Sequence, residues 1–190
     1  DTSTFNTAVG TQAGKAMTTG VQNTLIGGLA GDALTDADFN VALGYNALAI
    51  DTLGSKTTAI GVGALETQNF TSATDSFNTA VGYVAGLAVT TGVQNTFIGG
   101  RSGIATTTAD NNTALGYLAL TANTTGALNV AIGVAAVDSN TTGANNVGVG
   151  VNSLGSNTTA SNNTAVGHEA LKVNTTGTQN VAVGAFAADA

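Results

Sequence analysis

The chain repeats itself every 17 residues from one end to the other, and a short fixed period of this kind leaves few folds open. The unit reads Asn-Thr/Val-x-Val/Ile/Leu-Gly. Its glycines are Gly10, Gly27, Gly44, Gly61, Gly82, Gly99, Gly116, Gly133, Gly150, Gly167 and Gly184, and every interval is 17 residues except Gly61 to Gly82, which is 21. Residues 1–190 therefore form a single repeat domain of eleven units with one four-residue insertion within 69–77. A longer repeat lies on top: residues 5–31 closely match 77–103, an offset of 72, as a duplicated block would.

Aligned in columns, the units show what each position does. The residue before the glycine is always aliphatic and mostly β-branched (Val9, Ile26, Leu43, Ile60 and their successors), which reads as a strand core position. Two before the glycine, and again three after it, small residues dominate, as at Ala8 and Ala13; they imply close approach of another backbone. The next column alternates between glycine and leucine-like residues, from Gly14 and Gly31 to Leu48 and Leu65. The second half of each unit is turn chemistry, with Asn-Thr-Thr-Gly at 123–126, 140–143 and 174–177. Asn and Gly accept the left-handed backbone that tight corners need.

The Asn that opens each unit forms a column of its own: Asn6, Asn23, Asn40, Asn78, Asn95, Asn112, Asn129, Asn146, Asn163 and Asn180, interrupted only by Thr57. Stacked Asn side chains can hydrogen-bond from rung to rung and close corner backbone groups. The Asn and Gly columns together are thus the expected structural ladder. Helix pairs in repeat proteins need units of roughly 34–47 residues, so strand–turn–strand–turn is the better reading. The fold expected is an all-β parallel solenoid of eleven 17-residue rungs, a rod about 50 Å long at roughly 4.8 Å per rung.

Composition agrees. Charged residues are 8% of the chain, with 26 Gly and no Pro, Cys or Trp, so there are too few bulky side chains for a thick core. The net charge of −7 argues against nucleic acid, whose binding needs a basic surface. No apolar run approaches the ~20 residues that span a bilayer, so this segment is not expected to insert in a membrane. Beginning at Asp1, the sequence reads as a processed chain or a segment of a longer one.

Neighbouring strand residues point to opposite faces, yet the Ala8 and Val9 columns are both apolar. A strand apolar on both faces is usually buried on both. Identical chains around an axis, three by preference, would cover the second face; a single chain whose rungs are wide enough to bury both columns is the alternative.

Residues 112–120 (NTALGYLAL) and 163–171 (NTAVGHEAL), with AIGVAA at 131–136 and AIGVGA at 59–64, resemble the head repeats of trimeric autotransporter adhesins. Similar repeats look like those of bacteriophage tail fibres. The resemblance implies a homotrimer of left-handed parallel β-rolls that attaches to a host-surface protein or glycan. The 17-residue period is longer than that family's usual unit, and no coiled-coil stalk, neck or anchor stands in residues 1–190. Bacterial adhesin, phage fibre shaft and secreted filament subunit all remain open.

Candidate chemistry is sparse. The only histidine, His168, stands beside Glu169 in a variable column and reads as a surface substitution rather than a general base. No cysteine nucleophile and no second histidine for zinc occur. Asp32, Asp36 and Asp38 gather at one corner, and Asp110 is the repeat equivalent of Asp38; calcium is conceivable there, but solvated loop acids are the preferred explanation. A threonine column running through Thr18, Thr35, Thr52, Thr90, Thr107, Thr124, Thr141, Thr158 and Thr175 makes an ice-binding solenoid the main non-adhesive alternative. Seven Asn-x-Thr sequons follow from the turn consensus itself. Loops on a regular scaffold often carry binding, so the insertion, with Asn69, Phe70, Asp75 and Phe77, is the expected contact loop. No cofactor, metal or catalytic residue is expected, and the chain reads as a non-enzymatic extracellular rod.

Overall fold

The computed structural model describes residues 4–189, and among them there is no helix. Strands are short: β1 (Thr7–Val9), β2 (Thr24–Ile26), β3 (Val41–Leu43), β4 (Gly54–Ser55), β5 (Thr58–Ile60), β6 (Thr74–Asp75) and β7 (Thr79–Val81). There follow β8 (Thr96–Ile98), β9 (Thr113–Leu115), β10 (Val130–Ile132), β11 (Val147–Val149), β12 (Thr164–Val166) and β13 (Val181–Val183). Eleven of them stack in chain order into one parallel sheet, and β4 and β6 pair separately. Each residue pairs with its equivalent one unit on, Ala114 with Ala131 and Ala131 with Gly148. The chain is a β-solenoid that winds once per repeat.

A three-residue strand has one inward position and two outward ones. The inward one is the Ala8 column: Leu25, Ala42, Ala59, Ala80, Phe97, Ala114, Ala131 and Ala165 are all fully buried. The Val9 column faces out, contrary to its reading as core: Leu115 is 44% exposed and Val9 57%. The sequence pattern of aliphatic residues is the same on either side of a sheet; only the pleat decides which column points in.

Across the interior lie the Ala13 column and the Gly/Leu column. Ala30, Ala47, Ala64 and Ala119 are fully buried, as are Leu48, Leu65 and Leu120. The backbone here runs through successive tight turns, Ala13 N–H to the Gly10 carbonyl, Lys15 to Gln12 and Met17 to Gly14, so side chains as large as Leu48 and Leu120 are held at φ of +54° and +55°. Glycine replaces leucine where a neighbour already fills the core. A Cβ on Gly31 would lie 2.8 Å from both Leu25 Cδ2 and Leu34 Cδ1, and one on Gly103 would strike the Phe97 ring. Leu25 is thus matched by Gly14 and Gly31, and Phe97 by Gly86 and Gly103, which keeps the filling of each rung nearly constant.

The repeat glycines sit where the chain leaves the sheet, with φ between +126° and +143°, a setting almost closed to other residues. A Cβ on Gly133 would lie 2.6 Å from the Gly150 carbonyl oxygen. Beside them runs the asparagine ladder. Each Asn Oδ1 accepts the backbone N–H of the next Asn, Asn112 to Asn129 and Asn129 to Asn146, both at 3.0 Å. In most rungs Nδ2 donates to a corner carbonyl, as Asn129 does to Gly143 at 2.9 Å, whereas that of Asn112 turns to Asn95 Oδ1. A second ladder runs through the Asn-Thr-Thr corners: Asn140 Nδ2 donates to Asn123 Oδ1 and Asn157 Nδ2 to Asn140 Oδ1, each at 3.0 Å.

At the insertion both devices are rebuilt. β4 and β6 pair Gly54 with Thr74 while β5 and β7 pair Thr58 with Thr79, so three extra residues precede β6 and one follows it. Thr57 stands in the Asn column, and its hydroxyl lies 2.6 Å from Ser76 Oγ. Ser76 Oγ then accepts the Asn78 N–H at 3.2 Å, replacing the missing amide. The buried Asp51 carboxylate accepts from Gly54 N–H, Phe70 N–H and Gln68 Nε2, so both of its oxygens are hydrogen-bonded.

Candidate binding faces

Three surfaces run along the rod, and they differ in chemistry. The first is the outer face of the eleven-stranded sheet, built by the Thr7 and Val9 columns that flank each inward residue. Val9, Leu43, Ile98, Leu115 and Val183 are exposed, and Ile26, Ile60, Val81, Ile132, Val149 and Val166 are half-buried. Neither column carries a charge in any of the eleven units. The adjoining column adds Tyr45, Tyr83 and Tyr117, each more than half exposed, together with Val62, Val134 and Val151. His168 belongs to this column. It touches the Phe186 ring edge-on, with centroids 5.1 Å apart, and lies 4.0 Å from Glu169; no nucleophile or second imidazole accompanies it.

The second surface is the Thr-Thr corner. The first Thr of each pair turns its hydroxyl along the rod: Thr107 Oγ1 donates to the Thr124 carbonyl at 3.1 Å, Thr124 to Thr141 at 2.9 Å and Thr141 to Thr158 at 3.1 Å. These hydroxyls are structural rungs rather than a free array facing water. The second Thr is the exposed one, in an unbroken run of Thr91, Thr108, Thr125, Thr142, Thr159 and Thr176. The acids of this corner are also employed. Asp38 Oδ1 accepts the Val21 N–H and Asp110 Oδ1 the Val93 N–H, both at 2.8 Å, and Asp36 takes the Thr19 hydroxyl. Among the described residues no cluster of three His, Cys, Asp or Glu side chains is placed to hold a metal ion. Of the sequon asparagines, Asn123, Asn140 and Asn157 are fully buried in the second ladder, whereas Asn111 and Asn162 are exposed.

The contact loop divides. Phe70 is buried, 6% exposed, with its N–H on Asp51, and is therefore a plug for the displaced rung rather than a contact residue. Asn69 is half-buried and its Oδ1 takes the Thr52 hydroxyl at 3.1 Å. Asp75 and Phe77 are exposed, and Lys56 joins them. Its ammonium pairs with Asp75 Oδ2 and stands 5.3 Å above the Phe77 ring, a cation–π distance.

The third surface is the turn side, where most charges lie. Glu169 and Lys172 pair at 2.9 Å; the Lys172 hydrogen bond holds the Glu169 carboxyl below the usual carboxylate range and raises the lysine in turn. Asp138 differs: burial pushes its carboxyl up, against weaker hydrogen bonds from Ser139. It borders an open notch of about 240 Å³ with Ser139, Asn152, Gly155, Ser156 and Lys172. Column reading could have found this notch, because Gly155 is the one glycine in a column otherwise holding side chains such as Thr121, Asp138 and Lys172.

No protein-family model, no curated protein and no solved structure matches this chain.

Proposed function

We propose that this chain is a segment of an extracellular structural fibre or adhesin head: a stiff, non-catalytic rod that associates with copies of itself and presents its remaining surface for attachment. The observation that carries this reading is the sheet's outer face, which presents an aliphatic side chain beside a threonine or valine on every rung and carries no charge. Contiguous exposed apolar strips of this length mark interaction sites, and depletion of charge is the compositional signature of an interface core. Every rung offers the same strip, so a copy lying alongside meets matching rows along the whole rod. Closed association about an axis, three copies by preference, satisfies all strips at once. The resemblance to trimeric autotransporter heads fits the same arrangement; a phage fibre shaft or secreted filament would use the same mechanics.

Backbone ladders that continue from rung to rung resist bending and local opening. Repetition along the rod and across copies also multiplies weak contacts into avidity. The test is sedimentation of the purified chain. The wild type should run as an oligomer, three copies expected, and Leu115→Lys, which puts a charge on the outer face without entering the core, should shift it to monomer with its circular dichroism unchanged. A wild-type chain that stays monomeric across the accessible concentration range would sink the proposal.

A further inference from the structure

Glycine at most positions of this chain is required by a left-handed φ or by a neighbouring atom less than 3.0 Å from an added Cβ; at Gly155 neither holds. Its φ lies outside the left-handed region, and a Cβ there would meet nothing nearer than the Asn152 carbonyl oxygen at 3.2 Å and Asp138 Oδ1 at 3.7 Å. One rung below, the same column holds Asp138, and one rung above, Lys172. What the missing side chain creates is the notch of about 240 Å³, with the carboxyl and the ammonium standing at its two ends, roughly 10 Å apart at two rung spacings.

The lining decides what fits. Lys172 is already balanced by Glu169 at 2.9 Å, so no free cation is left to draw an anion. Asp138 is the one carboxyl in the lining, too few oxygens of negative charge for a divalent cation. The groups that remain are mixed donors and acceptors: the Asp138 carboxyl, the Ser156 hydroxyl, the Ser139 hydroxyl that bonds Asp138 only at 3.4 Å, and the Asn152 side chain, whose amide N–H also serves Glu169 and whose oxygen can accept. A sugar ring presents several hydroxyls, each able to donate and accept at once, and its size suits a notch near the small end of ligand sites. The geometry points to a binding site for one uncharged pyranose unit of a glycan at Gly155, with Asp138, Ser139, Asn152 and Ser156 bonding its hydroxyls. The site gives the adhesive reading a ligand class and rests on that reading for its biological setting; it lies on the turn side, away from the sheet face assigned to self-association. A single open notch binds weakly, and copies of the rod would supply the avidity.

Saturation-transfer NMR on the full 190-residue chain tests it, with the methyl glycosides of galactose, glucose, mannose and N-acetylglucosamine as probes. At least one should bind with a Kd of about 1 mM. Gly155→Thr, which installs the residue that Thr121 supplies in the same column, should abolish the signal while leaving the melting temperature and oligomeric state unchanged. Asp138→Ala should weaken binding by about tenfold, the loss of one charged hydrogen-bond partner. Binding that persists undiminished in Gly155→Thr, or no transfer to any of the four probes, overturns the site. In either case an intact oligomer would leave the fibre reading standing, and a monomeric chain that still bound sugar would do the reverse.

Discussion

Asn129 shows how much of this fold rests on one side chain per rung. Its Oδ1 satisfies the Asn146 N–H, a buried backbone group with no other partner among the described residues, and its Nδ2 shares the Gly143 carbonyl with Asn140 Nδ2. Each buried group left unpaired costs about 1–3 kcal/mol. Asn129→Ala orphans the Asn146 N–H and should therefore lower the stability to chemical denaturation by on the order of 2 kcal/mol, whereas Thr142→Ala, on the exposed Thr row, should stay within about 0.5 kcal/mol of wild type. Equal effects of the two substitutions would mean that the ladder is ornament. Because a solenoid's stability is nearly a sum of rung terms and nearest-neighbour terms, the loss should be local in origin and should loosen amide protection first on either side of that rung.

At the scale of the rung, the filling of the core is shared between two columns rather than fixed in either. Leu25 occupies the space that Gly14 and Gly31 vacate, and Leu48 and Leu65 occupy it from the other side where Ala42 and Ala59 stand opposite. Leu25→Ala should cost about 2–5 kcal/mol through the cavity it leaves. Adding Gly31→Leu should recover more than half of that loss, since Leu48 and Leu65 already adopt the same left-handed φ in their own rungs. A denaturant-melt double-mutant cycle reads the coupling directly, and strictly additive effects would contradict the shared-core description. Both columns were legible in the sequence as rows of small and alternating residues; their compensation was not, because it appears only once Gly31 and Leu25 are known to face each other across the interior. The outward turn of the Val9 column escaped for a related reason: a run of two apolar residues does not say which of them the pleat points inward. Phe70 misled similarly, since an aromatic in an insertion reads as exposed until the displaced rung is seen to need a plug.

Over the whole molecule, the period did nearly all the work of specifying the architecture, and its 17-residue spacing is the pitch of the stack. The notch at Gly155 and the charge-free face are legible in the same columns once the rungs are stacked, for each is defined by what is absent from a row. The stack itself can be tested in a chain that contains no native cysteine. Thr125, Thr142 and Thr159 are exposed on consecutive rungs, so neighbouring pairs lie about 4.8 Å apart, inside the span a disulfide bridges, and alternate ones about 9.6 Å apart, beyond it. The double variant Thr125→Cys with Thr142→Cys should close an intramolecular disulfide on mild oxidation, detected by mass spectrometry, while Thr125→Cys with Thr159→Cys should not. Cross-linking of the distant pair but not the near one would contradict one turn per repeat.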